Sequence, residues 1–295
     1  MSASAPPGYT RPACVGAALQ KFRRALIVVL ALTAALLTLA AFALRLPAAA
    51  ALVAYLPIGP GLDPTPQPPL IAAPPGPLPA GLAGLRELAQ YAGQPYQAVG
   101  SGFFLRLPSG QVIGVTTAHS VAALGRPGND LQHVAFEMPG SADPASLDEF
   151  SLLYGLPGVP FSGDDLSVDF VLLKPQRPVD AGLAQTPDPR DAPQPGERVA
   201  LYSGLGGPDG PRRVLLGTVT TSDPTKAWLL MDDSFDPGGM SGSPVLSTYT
   251  GRVVGMAVAA TRRRGRLLIG LSPIGAIVQH AEAAQDFPAI AGYIR

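Results

Sequence analysis

The stretch that organises this chain is residues 238–245, Gly-Gly-Met-Ser-Gly-Ser-Pro-Val, which places Ser241 between glycines ahead of an apolar segment. A serine hydroxyl is a weak nucleophile at neutral pH. It needs a base to take its proton and donors to hold the oxyanion that forms. Flanking glycines let backbone N–H groups turn towards one point beside the serine oxygen. The alternative is a tight turn between two strands, because Gly, Ser and Pro are common turn residues.

Two further stretches supply the groups that an activated serine requires. His119, one of three histidines, closes the run Val-Thr-Thr-Ala-His at residues 115–119. Asp169 stands at the start of a hydrophobic segment, Phe-Val-Leu-Leu, which predicts a buried strand. The order along the chain is therefore His, Asp, Ser, and this order favours the catalytic interpretation of Ser241 over a simple turn.

The three motifs resemble those of the chymotrypsin/trypsin-like serine peptidases, which carry T-A-A-H, D-hydrophobic-A-L-L and G-D-S-G-G-P in this order. The resemblance covers roughly residues 100–285. It implies an all-β fold of two barrels followed by a C-terminal helix. It also implies Ser241 as nucleophile, His119 as general base and Asp169 as the group that orients the histidine. The backbone N–H groups of Gly239 and Ser241 would form the oxyanion hole.

Each of these residues has a competitor nearby. Ser243 precedes a proline at the entry to the strand, a position that suits packing rather than attack. His133 lies in a predicted strand and His280 on a predicted helix, and neither follows a Thr-Ala pair. Asp164 and Asp165 lie in a Ser-Gly-Asp-Asp turn, where carboxylates are usually solvated or cap the backbone.

Two departures from the family pattern bear on activation and stability. Trypsin and chymotrypsin have an aspartate before the nucleophile, which pairs with a newly cut N-terminus, whereas this chain has Met240. Activation by N-terminal cleavage is therefore not expected. Cys14 is the one cysteine, so no intrachain disulfide forms, and Ser120 stands where many relatives have a cysteine. We expect a bacterial-type member that relies on its hydrophobic core.

Substrate preference is predicted from the positions that match the family's specificity pocket. Phe235 matches the base of that pocket, where no acidic residue is present. Ala257, Val258 and Ala259 match the strand that pairs with the substrate backbone. These apolar walls predict a small or apolar side chain before the cleaved bond, rather than Lys or Arg.

Composition limits the other function classes. The chain has 295 residues with 21 basic and 21 acidic side chains, so no net field attracts nucleic acid. The 34 glycines and 34 prolines favour many turns and short strands. The acidic residues Asp232, Asp233 and Asp236 leave metal binding as a less favoured alternative, and we expect neither a metal nor a cofactor.

The N-terminal part predicts a membrane anchor. Residues 1–24 form a polar cytoplasmic tail with four basic residues, and residues 25–45 form a transmembrane helix that has no charge over 25–44. At about 1.5 Å per residue, such a helix spans about 30 Å, one hydrocarbon core. The basic residues before it place the peptidase domain outside the cytoplasm, at the cell membrane. The alternative is a signal peptide cleaved near residues 48–51, which would release a secreted domain.

The rest of the chain divides into a linker and one domain. Residues 46–95 form a linker rich in Pro and Ala, with a short helix predicted over 80–93, and residues 96–295 form the peptidase domain. A final helix is predicted over 272–283. Strands are predicted over residues 102–107, 111–115, 130–138, 150–153, 169–174, 197–202, 213–221, 227–231, 243–246, 252–260 and 266–271.

These features together predict a membrane-anchored serine endopeptidase that hydrolyses polypeptide substrates through an acyl-enzyme on Ser241. The alternative from another class is a binding or sensor module on the same scaffold with a latent or silent site. This alternative stays open because Met240 stands where trypsin and chymotrypsin have the aspartate that takes part in activation. A cytosolic α/β-hydrolase is excluded by the chain order and by the lack of G-x-S-x-G, because the last of these five positions is Ser243.

Overall fold

A computed structural model describes residues 73–79, 84–122, 130–138, 147–205 and 214–291. All of them belong to the second of two compact units, Ala48–Arg295. The predicted cytoplasmic tail, the predicted transmembrane helix and most of the predicted linker lie outside the described residues. Within the described ranges, no helix is long and apolar enough to cross a membrane.

The first half of the domain forms an eight-stranded sheet and carries one short helix. The strand order is β5-β4-β1-β2-β3-β7-β6, with antiparallel neighbours, and β8 pairs in parallel with β2. The elements are β1 (Leu85–Tyr91), β2 (Gln97–Arg106), β3 (Val112–Thr116), α1 (Ala118–Ala122), β4 (Leu131–Glu137), β5 (Asp148–Phe150), β6 (Leu152–Leu153), β7 (Val171–Lys174) and β8 (Ala184–Gln185).

The second half forms a closed antiparallel barrel and ends in a helix. Around the barrel the strand order is β10-β11-β14-β13-β12-β9. The elements are β9 (Arg198–Tyr202), β10 (Val214–Asp223), β11 (Lys226–Met231), β12 (Pro244–Ser247), β13 (Val253–Arg263), β14 (Arg266–Pro273) and α2 (Ile274–Glu282). The described chain is thus mostly β, with two barrel-like sheets and few helices, as the sequence predicts.

Apolar runs between turn residues correctly predict most strands. The predicted hairpin over residues 102–115 is β2 and β3, in which Phe103 pairs with Val115. The predicted C-terminal helix is α2, and its buried face carries Ile274, Ile277 and Ala281, which are spaced as one side of a helix requires.

The predicted helix over residues 80–93 is wrong, because this segment contains β1. Leu85, Glu87, Ala89 and Tyr91 are buried while the residues between them are partly exposed, which is the two-residue period of a strand. β1 lies between β2 and β4, so both of its edges are hydrogen-bonded. The folded domain therefore begins before residue 96, and the linker ends earlier than predicted.

The two sheets share a continuous apolar interior. One cluster of buried side chains fills the first sheet and another fills the closed barrel. A third cluster joins them, because it contains Phe103 and Leu172 from the first sheet together with Trp228 from the barrel and Ile277 from α2. Burying such large side chains stabilises the domain by roughly 1.5–3 kcal/mol each. This shared core fixes the position of loops that come from both sheets.

Candidate active site

Three polar side chains meet in a row between the two sheets. His119 Nδ1 is 2.7 Å from Asp169 Oδ2, and His119 Nε2 is 2.7 Å from Ser241 Oγ. The backbone N–H of His119 also donates to Asp169 Oδ1 at 3.0 Å. The aspartate therefore contacts both the ring and the main chain of the histidine, and this fixes the direction in which Nε2 points.

Each residue of the row is positioned by the end of a strand. His119 lies on α1 directly after β3, Asp169 precedes β7, and Ser241 precedes β12. β3 and β7 are paired neighbours, so His119 and Asp169 come from adjacent strands of the first sheet. Ser241 comes from the barrel. The sequence order His, Asp, Ser thus becomes one contiguous cluster through the contact between the sheets.

Burial removes these groups from competing water. Asp169 is fully buried, Ser241 is 2% exposed and His119 is 9% exposed. Asp169 Oδ2 also accepts the backbone N–H of Phe161 at 3.2 Å. The Phe161 ring presents its edge to the imidazole, with 5.9 Å between the centroids. Sequence reasoning missed Phe161, because an isolated aromatic residue in a Gly- and Pro-rich loop gives no periodic signal.

The Ser241 loop depends on two glycines. Gly239 has φ +75° and Gly242 has φ +87°, in the left-handed region that favours glycine. A Cβ at Gly242 would lie 1.8 Å from the carbonyl oxygen of Ser101, which leaves no room for any side chain. The glycine-rich motif is therefore required by the shape of the loop itself.

Two backbone N–H groups of buried residues lie unpaired at the serine. Gly239 and Ser241 are both buried, and within the described part of the chain neither backbone N–H has a hydrogen-bond acceptor. The intervening N–H of Met240 donates to Pro237 O at 3.1 Å. Buried N–H groups without a partner are rare in folded proteins. These two donors are available to a ligand oxygen at this position.

Ser101 of β2 fastens the Ser241 loop to the first sheet. Its N–H donates to Ser241 O at 2.8 Å, and its hydroxyl donates to Gly239 O at 3.0 Å. Thr116 Oγ1 in turn donates to Ser101 O at 2.9 Å. These hydrogen bonds use two carbonyl oxygens of the loop and fix its main chain against β2. Sequence reasoning missed Ser101, since a serine inside a predicted strand has no distinguishing pattern.

A small apolar cavity of about 10 Å³ adjoins Ser241. Its walls are Pro237, Met240, Ser241, Ala257, Val258, Ala259 and Ile269. The structure thus brings the three predicted wall residues, 257–259, next to the serine. Phe235 is not among the lining residues, and instead it packs against the core cluster of the barrel.

Met240 is buried in the core cluster of the barrel, the cluster that Phe235 also contacts. Its side chain fills the space beside the cavity with apolar atoms, where the resemblance would have an ionised aspartate. In these apolar surroundings a carboxylate without a cationic partner would be strongly unfavourable. The loop is therefore shaped by packing and by Ser101 rather than by an ion pair at residue 240.

The competing residues lie away from the row. Asp165 Oδ1 accepts the backbone N–H of Ser167 at 2.9 Å, and Asp164 lies 3.3 Å from Lys226. His133 Nδ1 is 3.4 Å from Glu149, and the ring of His280 packs on Phe170. Ser243 is fully buried behind Ser241. Among the described residues, no group of three or more His, Cys, Asp or Glu side chains is arranged to hold a metal ion.

Comparisons with known proteins find similarity only at the level of structure. No family model matches the chain, and no curated protein matches it. The chain is similar to the solved structure of Deg5, with 18% identity over 68% of this chain and 88% of that chain and a TM-score of 0.42. It is also similar to the solved structure of GrC, with 17% identity over 71% and 96% and a TM-score of 0.47. Because these values are low, we assign the site from this chain's own geometry.

Proposed function

We propose that this protein is a serine endopeptidase of the trypsin-like type, tethered to the cell membrane by residues 25–45. The observation that carries the proposal is the unbroken row Asp169–His119–Ser241, with 2.7 Å at each step. The row ends at a loop in which two backbone N–H groups, those of the buried residues Gly239 and Ser241, have no acceptor among the described residues. A nucleophile, its base, the orienter of that base and oxyanion donors are the complete set that acyl transfer requires.

The proposed reaction forms and then hydrolyses an acyl-enzyme. His119 Nε2 takes the hydroxyl proton as Ser241 Oγ bonds to the carbonyl carbon of the substrate, and the carbonyl π electrons move to oxygen. The N–H groups of Gly239 and Ser241 hold this oxyanion, and each donor is worth about 2.7–4 kcal/mol in the transition state. His119 then gives its proton to the leaving amine as the C–N bond breaks. Water, activated by the same base, repeats the sequence and releases the acid.

Asp169 keeps the histidine in the required tautomer. Its Oδ2 accepts the Nδ1 proton, so Nε2 is left with a lone pair that faces Ser241 Oγ. When His119 becomes imidazolium, the buried carboxylate lies at hydrogen-bond distance from the new charge. The protein therefore needs no metal ion or cofactor for this chemistry.

The proposed substrate is a polypeptide with a small or apolar side chain before the cleaved bond. The cavity of about 10 Å³ is walled by apolar side chains. A cavity of this size has room for little more than a methyl group. Ala, Gly or Ser is therefore the preferred residue at that position, and Arg or Lys is excluded by the absence of a carboxylate among the walls.

A second candidate is a binding or sensor module with a latent site, and the size of the cavity favours it. A pocket that is closed at rest would need to open before a larger side chain could enter, as a lid or activating ligand would cause. On this alternative Ser241 is correctly placed but not productive until a partner binds. The alternative and the proposed peptidase differ in the reactivity of the resting protein.

The experiment that separates them is labelling of Ser241 with a fluorophosphonate. The full chain, purified in detergent, should gain one adduct by intact mass, and Ser241→Ala should gain none. Ser243→Ala is the matched control, since this neighbouring hydroxyl is buried outside the row, and it should label like the wild type. A folded wild type that takes no label would contradict the proposed resting activity and favour the latent module.

The proposed topology is tested with Cys14, because it is the only cysteine in the chain. In bacterial spheroplasts, a membrane-impermeant maleimide should label Cys14 only after permeabilisation. A Cys14→Ser, Ser109→Cys protein should be labelled without permeabilisation, because Ser109 is exposed at the β2–β3 turn. Domain found in the medium without residues 1–47 would instead indicate a cleaved signal peptide.

A further inference from the structure

Glu87 is a fully buried carboxyl that the proposed mechanism does not use. It occupies an inward position of β1, in line with the apolar residues Leu85 and Ala89. Within the described part of the chain no Arg, Lys or His forms an ion pair with it. A buried charge without a counter-ion is strongly unfavourable, so an acid in this position favours its neutral form.

The hydrogen bonds around Glu87 can accommodate a protonated acid. Ser120 Oγ lies 2.8 Å from Glu87 Oε2 and 2.9 Å from Thr117 O. The single hydroxyl proton of Ser120 serves only one of these acceptors at a time. Thr117 Oγ1 donates to Ser120 Oγ, and Thr116 Oγ1 donates to Ser101 O. If Glu87 carries a proton and donates it to Ser120 Oγ, Ser120 is free to donate to Thr117 O and every hydroxyl has a partner.

The second carboxyl oxygen points to the same conclusion. Oε1 of Glu87 is buried and has no hydrogen-bond partner among the described residues. An unpaired carbonyl oxygen of a neutral acid costs far less than an unpaired oxygen that shares a negative charge. Burial, the lack of an ion-pair partner within the described ranges and the unpaired Oε1 together point to the neutral acid.

Glu87 lies between α1, which carries His119, and the part of β2 that holds the Ser241 loop. Ser120, which it contacts, follows His119 on α1. A Cβ at Gly100 of β2 would lie 2.7 Å from Glu87 Oε2 and 3.0 Å from Ser241 O. The next residue of β2, Ser101, holds the Ser241 loop through two hydrogen bonds. One carboxyl thus contacts the helix of the base and the strand segment that anchors the nucleophile.

We propose that protonated Glu87 is a positioning residue of the proposed peptidase site, holding α1 against β2 so that His119 stays aligned with Ser241. The inference rests on the proposed function. It predicts that the site loses its alignment when Glu87 loses its proton. The carboxylate then draws the Ser120 hydroxyl away from Thr117 O and places a second negative charge near Asp169.

The titration of Glu87 falls in an accessible range. The pKa of Glu87 is raised from 4.5 to about 8, mainly by burial; the hydrogen bond with Ser120 acts in the opposite direction, and the nearby Asp169 carboxylate acts in the same direction as burial. The other titratable group facing it is Tyr91 on the same strand, whose hydroxyl donates to Val121 O on α1 at 2.5 Å. The neutral form of Glu87 therefore predominates at pH 7.

The test is the pH dependence of fluorophosphonate labelling of Ser241 in the full chain. Labelling of the wild type should fall about tenfold from about pH 7 to about pH 9, as the protonated fraction falls with a pKa near 8. Glu87→Gln keeps a donor and an acceptor in place of the acid but does not titrate. Its labelling at pH 7 should stay within about threefold of the wild type, and the alkaline decrease should disappear.

Two controls separate positioning from general effects. Tyr91→Phe removes another hydrogen bond to α1 without removing Glu87, so the alkaline decrease should persist. Glu137→Gln changes an acid on the neighbouring strand β4, which pairs with Arg86 at 3.1 Å, and should also keep the decrease. Glu87→Asp shortens the side chain, and labelling should fall at all pH values because the carboxyl no longer reaches Ser120.

The outcomes distinguish this inference from the proposed function. A folded wild type without label at any pH overturns the peptidase, and the positioning role with it. A labelled wild type with no alkaline decrease overturns the role of Glu87 alone, even where Glu87→Gln fails to fold. A decrease that survives unchanged in a folded Glu87→Gln protein also overturns it.

Discussion

A large loss of stability is expected from substitution of Arg190, which lies between two buried carboxylates in the segment that connects the two sheets. Its guanidinium donates to both oxygens of Asp188 at 2.7 Å, and to Glu197 at 2.8 and 3.2 Å. The arginine side chain is 8% exposed, and those of Asp188 and Glu197 are 0% and 1% exposed. Arg190→Met would keep the apolar stem and leave two buried carboxylates without a cation.

The magnitude follows from that uncompensated charge. Removing one partner of a buried ion pair typically costs about 3–5 kcal/mol, and here one cation serves two anions, so the upper part of that range applies. For a domain of this size such a loss lowers the melting temperature by about 10 °C. Urea denaturation at pH 7, followed by the fluorescence of Trp228, measures the free energy of unfolding directly.

The dependence of this loss on pH provides an internal check. Burial alone would raise the pKa of Asp188, but hydrogen bonds from Arg190 and Thr250 lower it below its ordinary value. This stabilisation is present above the unfolded pKa and disappears as pH falls through the folded pKa. Without Arg190 the Asp188 carboxyl can be buried as a neutral acid, so the difference in the free energy of unfolding between wild type and variant should shrink towards about pH 4.

Arg198 provides the matched control. Its guanidinium also forms a bidentate ion pair, with the carboxylate of Asp232, but both side chains are 44% exposed. Solvent-exposed pairs contribute about 0–1 kcal/mol, so Arg198→Met should be nearly neutral. Equal losses for the Arg190 and Arg198 variants would refute the reasoning that burial decides the effect.

Three further predictions concern the site. The pKa of Glu87 is raised from 4.5 to about 8, so between these pH values the folded state keeps a proton that the unfolded chain loses. The free energy of unfolding should therefore decrease as pH rises from 4.5 to about 8, by at most about 1.4 kcal/mol per pH unit. Urea titrations at several pH values measure this decrease, and Glu87→Gln should abolish it. Asp169→Asn should fold normally but lower peptide hydrolysis by about 10⁴-fold, since the tautomer of His119 is no longer fixed. Met240→Ala should enlarge the cavity beside Ser241 and raise kcat/KM for Leu relative to Ala before the cleaved bond by about tenfold, measured with matched peptides.

The sequence predicts the strands and the main site residues for a physical reason. Short, largely apolar runs bounded by turn residues must lie in a core, so β2, β3 and the barrel strands are recognisable from their pattern. Residues 119, 169 and 241 are recognisable because a reactive serine requires specific partners and a glycine-rich loop. Each of these signals is local in the chain.

The failures have physical reasons too. Leucines at 82, 85 and 88 fit a helical period as well as a strand, and the choice was decided by pairing with β2 and β4, which no local pattern contains. Glu87 carries no signal as a buried acid, because in sequence it resembles any solvated glutamate on a strand. Phe161 and Ser101 acquire their roles only through contacts with residues far along the chain.

The alignment of the proposed site depends on the junction of the two sheets rather than on either sheet alone. His119 and Asp169 come from neighbouring strands of the first sheet, so their contact is fixed within it. The 2.7 Å contact of His119 with Ser241 crosses to the barrel, and the hydrogen bonds of Ser101 to the Ser241 loop cross the same junction. Any movement of one sheet against the other therefore changes the distance between base and nucleophile while leaving the histidine and aspartate paired. If the proposed peptidase function holds, control of it, by pH at Glu87 or by a ligand, would be most effective where it acts on that junction.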